Sequence, residues 1–208
     1  MIRAVVFDLG QVLASGDGVV SEPARLLGVD EDAFAELYWR DRAAYDEGAS
    51  DAEYWGPILT GLGKPAAIET IQQLTRLDAD LWLQVRPQAR TLLADVRAAG
   101  VSVTILTNAP FNLDVGLLDS DLRDEADAFF VSASMGFAKP HRVVYERVSE
   151  VLDVEPHQIA FIDDRERNVA GAERAGWAAH LWVSDDDTRA WLTEIGVPAV
   201  DKGANAPN

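Results

Sequence analysis

The chain has 208 residues, 48% of them hydrophobic and 25% charged, with no cysteine and a formal net charge of −17. That length suits one ordinary domain, or a core domain carrying a smaller insert, and six Trp, seven Phe and four Tyr exclude a disordered chain. The lack of Cys removes disulfide scaffolds, thiolate zinc sites, iron–sulfur clusters and cysteine nucleophiles. Such acidity argues against nucleic acid, whose binding needs a basic face. No apolar run reaches the ~18 residues of a membrane span, and the start, Met1-Ile2-Arg3 followed by four apolar residues and Asp8, is too short for a signal-peptide core. The expectation is a cytoplasmic protein with no membrane partner.

In chain order, Ala4-Val5-Val6-Phe7 is a short, β-branched apolar run that stops at an acid, and it reads as a buried strand. Residues 14–86 hold helical patterns (Ala33-Phe34, Leu37-Tyr38; Ile68, Ile71, Leu74) and no convincing strand, broken by Gly48, Gly56, Gly61 and Gly63. Pro87 then opens a helix carrying Ala89, Leu92, Leu93, Val96 and Ala99 and closed by Gly100. Strands follow at Val101–Leu106, Phe129–Val131, Ile159–Ile162 and Ala179–Val183, alternating with helices marked by Val144, Val148, Val151 and Leu152 and by Arg165 to Ala175. This alternation is the pattern of an α/β, doubly wound parallel sheet of three layers. The expected division is therefore an α/β core of residues 1–13 and 87–200, an α-helical insert of 14–86, and a frayed tail of 201–208. Asp185-Asp186-Asp187 reads as a solvated helix N-terminus.

In open parallel sheets, ligands bind beyond the carboxyl ends of the strands. Three strands deliver polar residues there: Asp8, then Thr107-Asn108, then Asp163-Asp164, with Lys139 just before a helix between the last two. Carboxylates from separate strands suit a hard divalent cation such as magnesium, and a lysine and a hydroxyl beside it suit a phosphoryl group. One carboxylate could itself attack that group to form an aspartyl-phosphate. Singly, each has a plainer role. Asp8 would start a turn, and Asp163 with Glu166 would form a capping box. Thr107-Asn108 would cap a helix, and Lys139 would sit in solvent. His141, His157 and His180 lack ligand spacing, and Trp39, Tyr45 and Trp55 read as core. Only the ordered joint occurrence favours chemistry.

Phe7-Asp8-Leu9-Gly10-Gln11-Val12-Leu13, Leu106-Thr107-Asn108, Lys139-Pro140 and Phe161-Ile162-Asp163-Asp164-Arg165-Glu166-Arg167-Asn168 resemble the four motifs of haloacid dehalogenase-like hydrolases. Residues 14–86 resemble the helical cap of the subgroup that includes small-molecule phosphatases. The resemblance implies a Rossmann-like core and a magnesium-dependent phosphatase acting on a small phosphorylated metabolite, a sugar phosphate for instance. It implies that Asp8 is nucleophile and metal ligand, that Gly10 offers its carbonyl to the ion, and that Asp164 is a direct ligand with Asp163 and Asn168 behind it. Thr107 and Asn108 would hold phosphate oxygens, and Lys139 would bridge phosphate and nucleophile. Most phosphatases of this superfamily carry a second Asp two residues after the nucleophile, as acid and base; here that position is Gly10. An Asp placed at Gly10 is expected to speed hydrolysis of poor leaving groups, unless residue 10 needs a positive φ. The alternatives are a 2-haloacid dehalogenase, which the Asp163-Asp164 pair disfavours, and a non-catalytic phosphate-ligand binding protein. Selectivity would reside in the insert and the loop Ala14 to Gly18, with Lys139, Arg142, Arg165 and Arg167 offsetting the overall acidity near the site. Oligomeric state and the identity of the substrate stay open.

Overall fold

The computed structural model describes residues 1–197. The expected tail of 201–208, and the last three residues assigned to the core, lie outside them. The chain runs β1 (Ala4–Phe7), α1 (Ser21–Leu27), α2 (Glu31–Arg40), α3 (Arg42–Asp46), α4 (Asp51–Gly61), α5 (Ile68–Trp82), α6 (Pro87–Ala98), β2 (Ser102–Thr107), α7 (Phe111–Asp119), β3 (Ala128–Val131), α8 (Ser132–Met135), α9 (Arg142–Leu152), β4 (Ile159–Asp163), α10 (Glu166–Arg174), β5 (Ala178–Leu181) and α11 (Asp185–Glu194). The five strands form one parallel sheet in the order β3-β2-β1-β4-β5. The fold is thus the α/β, Rossmann-like arrangement expected from strand–helix alternation. No helix among the described residues is long and apolar enough to cross a membrane.

Both faces of the sheet are covered, and the period of two in each strand shows how. Val5 and Phe7 of β1, Val103 and Ile105 of β2, and Ala160 and Ile162 of β4 pack with Leu92, Leu93 and Val96 of α6 and Leu113 and Leu117 of α7. Their neighbours Val6, Leu106, Ile159 and Phe161 face the other way, onto Val144, Tyr145 and Val148 of α9 and Ala172 of α10. Every residue of β1 is fully buried. At about 1.5–3 kcal/mol for each fully buried Val or Phe, this central strand is a principal anchor of the fold. Val151, expected on the buried stripe of α9, instead faces solvent at 64% exposure; the stripe runs through Val144, Tyr145 and Val148.

The insert leaves and returns at one point. Ala14 forms isolated bridges to Gly10 and to Val85, and Arg86 N donates to Leu13 O at 2.9 Å. The Arg86 guanidinium donates to both carboxylate oxygens of Asp185 at 2.8 Å and to Val12 O. Asp185 is therefore a clamp on the insert's exit rather than the solvated acid expected, whereas Asp187 N donates to the capping Ser184 Oγ at 3.1 Å and Asp187 Oδ2 pairs with His180 Nε2 at 2.7 Å. Inside the insert, Asp30 caps α2 and a Ser50–Glu53 capping box opens α4. Its helices enclose a second apolar cluster built on Phe34, Tyr38, Tyr45, Tyr54, Trp55 and Leu74. Trp82, the last residue of α5, packs against this cluster and against the sheet's core.

Candidate active site

β1 is flanked by β2 on one side and β4 on the other, so the strand order reverses beside it. Parallel strands splay at such a reversal and leave a crevice beyond their carboxyl ends. The residues following β1 and closing β2 and β4 meet there. A cavity of about 630 Å³ is lined by Asp8, Thr107, Asn108, Lys139, Asp164 and Asn168 from the sheet side.

Lys139 organises this floor. Its ammonium is wholly buried and lies 2.9 Å from Asp8 Oδ1 and 2.7 Å from Asp163 Oδ2, while also donating to Leu106 O at 2.8 Å. This overturns the solvent-exposed reading of Lys139. Burial alone would lower its pKa, but Asp8 and Asp163 together outweigh burial and hold it raised and charged. Asn108 fixes the loop that carries it: Lys139 N donates to Asn108 Oδ1 at 2.8 Å, and Asn108 Nδ2 donates to Lys139 O at 2.9 Å. The Asn108 side-chain amide is thereby committed to the lysine's backbone and not to a helix cap. Thr107 is buried in the cavity wall, and its hydroxyl makes no hydrogen bond among the described residues.

Asp163 is not the helix cap its spacing to Glu166 suggested. Its Oδ1 accepts from Arg165 N and Asn168 Nδ2, both at 2.9 Å, and its Oδ2 from Lys139, while α10 starts after Arg165 without a side-chain cap. Asp8 differs. Its Oδ1 takes Leu9 N at 2.7 Å and Lys139, and its Oδ2 accepts nothing among the described residues. Asp8, Asp163 and Asp164 each bring a carboxylate oxygen within 4.8 Å of the others. One lysine cannot neutralise three carboxylates. Burial, with Asp163 and Asp164 adding to it and Lys139 opposing, pushes the Asp8 carboxyl up to about 7. Burial and then Asp163 raise Asp164 as well. An excess of oxygen-donor charge at this spacing fits a hard divalent cation such as magnesium, which Asp8 and Asp164 would hold with the Gly10 carbonyl, and Asn168 Oδ1, buried and without a partner among the described residues, lies beside that set.

The opposite wall comes from the insert and was not legible as a site. Trp39, Arg42, Ala43, Asp46, Glu47 and Trp82 line it. Tyr45 and Trp55 are core, as their pattern suggested, but Trp39 is 47% exposed and faces the cavity. Arg42 is buried; it donates to Asp78 at 3.0 and 3.2 Å, to Tyr38 Oη, and through Nε to Asp46 Oδ1 at 2.8 Å. In sequence these charges look like a solvated helix face, and only the fold turns them inward. Arg165 and Arg167 also line the cavity, whereas Arg142 is exposed and paired with Glu146. Gly10 does not have a positive φ; its neighbour Gln11 does, at 61°. What limits Gly10 is Trp82, whose ring would lie 3.2 Å from an added Cβ.

The sheet's switch point thus gathers an aspartate with one free oxygen, a buried lysine and a carboxylate cluster, with residues of the helical insert in the same cavity wall. The haloacid dehalogenase-like hydrolase model matches residues 2–176, and the chain belongs to this family. It is 30% identical to Phosphatase MT3486 of Mycobacterium tuberculosis over 90% of both chains. It is 27% identical to (S)-2-haloacid dehalogenase 1 of a Pseudomonas species over 85% of this chain and 82% of that one. Among solved structures, a HAD family enzyme of Bacteroides thetaiotaomicron in complex with magnesium and inorganic phosphate shares the fold, with a TM-score of 0.70 and 21% identity over 87% of this chain and 94% of that one.

Proposed function

We propose that the chain is a magnesium-dependent phosphatase that hydrolyses a small phosphorylated metabolite through an aspartyl-phosphate on Asp8. The observation that carries this reading is the buried cluster in which Lys139 ties Asp8 to Asp163 while Asp8 Oδ2 stays uncommitted in a cavity beside Asp164 and Thr107. Bound magnesium would neutralise the carboxylates and polarise the phosphoryl oxygens. Asp8 Oδ2 attacks phosphorus, the bond from phosphorus to the leaving oxygen breaks, and that oxygen takes up a proton. Water then attacks the phosphorus of the aspartyl-phosphate, releasing inorganic phosphate and the Asp8 carboxylate. Lys139 keeps Asp8 oriented and offsets charge on the phosphoryl group, Asn108 positions Lys139, and the Thr107 hydroxyl donates to a phosphoryl oxygen. Asp163 and Asn168 orient their neighbours from behind. Residues 14–86 act as a cap that shapes the leaving-group side, and a sugar phosphate would fit a wall that mixes Trp39 and Trp82 with Arg42 and Asp46.

The phosphatase relative supports this assignment. The three-carboxylate cluster sets it above a 2-haloacid dehalogenase, in which Asp8 would attack carbon and no cation is required. An aryl phosphate and a 2-haloacid, each assayed with magnesium and with chelator, test it. Phosphate release that chelator abolishes is expected. Halide release in chelator would assign the dehalogenase reaction, and no turnover of a phosphate panel with retained phosphate binding would assign a binding protein.

A further inference from the structure

In most phosphatases of the family that the four motifs resemble, the position of Gly10 carries an acid and base; here it is a glycine, crowded by Trp82. Trp82 covers it, with three ring atoms at 3.2, 3.7 and 3.8 Å from an added Cβ, and the same ring lies 2.8 Å from the Cβ position of Gly16. The ring is itself held, since Nε1 donates to Tyr38 Oη at 3.1 Å. A proton donor for the leaving oxygen has to come from elsewhere on the cavity wall.

The carboxylates lining the cavity are Asp8, Asp164, Asp46 and Glu47. The first two are committed to the nucleophile and the carboxylate cluster, and Glu47 is exposed. Asp46 is different in kind. It closes α3, a helix that the fold ties to the strand end beyond Thr107. Ser132 Oγ donates to Asp46 O, and the same Ser132 Oγ accepts from Ala109 N at 2.9 Å. The side chain is 16% exposed, its Oδ1 is held by Arg42 Nε, and its Oδ2 makes no hydrogen bond among the described residues. The insert therefore holds a fixed, half-engaged carboxyl in the wall of the same cavity that Asp8 lines.

Resting on the phosphatase reading above, we infer that Asp46 is the acid and base of this enzyme, supplied by the helical insert in place of the side chain missing at Gly10. In the first step Asp8 bonds to phosphorus, the bond to the leaving oxygen breaks, and the Asp46 carboxylic acid passes its proton to that oxygen. In the second, the Asp46 carboxylate takes a proton from the water that attacks the aspartyl-phosphate, which frees Asp8 and inorganic phosphate and returns Asp46 to its acid form. The surroundings suit both states. Burial, aided by Asp78, outweighs the pull of Arg42 and the weaker pull of Arg165 and pushes the carboxyl up to about 6. An acid and base works best when its pKa lies near the working pH.

The test is pre-steady-state kinetics of Asp46→Asn on two probes, nitrophenyl phosphate, whose leaving group needs no proton, and propyl phosphate, whose leaving group does. Asp46→Asn should slow propyl phosphate cleavage about 10²–10³-fold, while a burst of nitrophenolate equal to the enzyme concentration persists within about threefold of the wild-type rate and is followed by slow turnover. Asp46→Glu keeps a carboxyl and should regain at least about tenfold of the lost propyl phosphate activity. Equal slowing of both probes in the first turnover would make Asp46 only a support for Arg42, and unchanged propyl phosphate cleavage would remove it from the chemistry; either result overturns the inference. Asp8→Asn run alongside should lose the burst, and turnover surviving there overturns the aspartyl-phosphate reading instead, so the two failures are told apart.

Discussion

The contact between Gly10 and Trp82 is a place where one methyl group should be felt. In Gly10→Ala the new carbon lies 3.2 Å from Trp82 Cζ3, inside the 3.5–4.0 Å at which carbon atoms rest. The ring cannot simply yield, because Nε1 is bonded to Tyr38, Trp39 meets it edge-on at 6.5 Å between centroids, and Gly16 lies against the ring too. Overpacking of this kind costs about 1–3 kcal/mol. The backbone at residue 10 is not in the left-handed region, so Ala also returns about 0.4–1 kcal/mol by restricting the unfolded chain. The net loss is about 0–2.6 kcal/mol, centred on ~1.3 kcal/mol, which is a fall in Tm of roughly 3–5 °C for a chain of this size. Urea unfolding of Gly10→Ala, Trp82→Ala and the double variant reads it as a coupling energy. The Ala should be destabilising beside Trp82 and harmless once the indole is gone. For the same reason Gly10→Asp should bring no gain on alkyl phosphates unless Trp82 is also trimmed. Equal stability of Gly10→Ala and wild type, or a loss that persists in Trp82→Ala, would refute the claim that the ring fills this position.

Other outcomes follow from the carboxylate cluster. Asp164→Ala should raise the magnesium concentration needed for half-maximal activity more than Asp163→Ala, since Asp163 spends both oxygens on Lys139, Asn168 and Arg165, and Asp163→Ala should instead lower kcat as Lys139 loosens; a magnesium titration of each variant checks this. Lys139→Ala leaves Asp8 and Asp163 buried without their cation, so it should cost about 3–5 kcal/mol of stability in metal-free protein, measured by urea unfolding, and most of the activity. With the Asp8 carboxyl pushed up to about 7, the metal-free site is mostly protonated at pH 6 and mostly ionised at pH 8, so protons compete with the cation and magnesium should bind about tenfold more weakly at pH 6 by calorimetry. The same raised pKa makes ionised Asp8 a burden on the fold: the metal-free protein should lose stability as pH rises from about 4 to 7, and magnesium should restore it.

The floor of the site was legible because parallel strands advertise themselves. A short apolar run that ends abruptly on Asp8, on Thr107-Asn108 or on Asp163-Asp164 marks both the strand and its carboxyl edge, and the structure places all three at one crevice. Burial was not legible. Lys139 carries no local sign that it lies inside, since its two carboxylate partners are distant in sequence and arrive only through the sheet order. Local rules also misled where tertiary partners compete. The spacing of Asp163 to Glu166 satisfies a capping box, yet Lys139 and Asn168 claim the carboxylate. Asp185 looks like a solvated N-terminal acid, yet Arg86 reaches it from the end of the insert. The insert's contribution was hidden most fully: Trp39, Arg42 and Asp46 fall on short helices where charge and aromatic residues have no diagnostic period, and only the fold brings them into the wall of the cavity that Asp8 lines, α3 being tied there through Ser132.

The measurement that bears most directly on the account is acid quench of the enzyme during turnover of nitrophenyl phosphate with magnesium, followed by mass spectrometry of its peptides. A phosphoryl adduct on the peptide containing Asp8, absent from Asp8→Asn and lost when chelator is added before substrate, is the predicted result. A phosphoryl adduct on any other residue, or steady hydrolysis by folded Asp8→Asn, would contradict it.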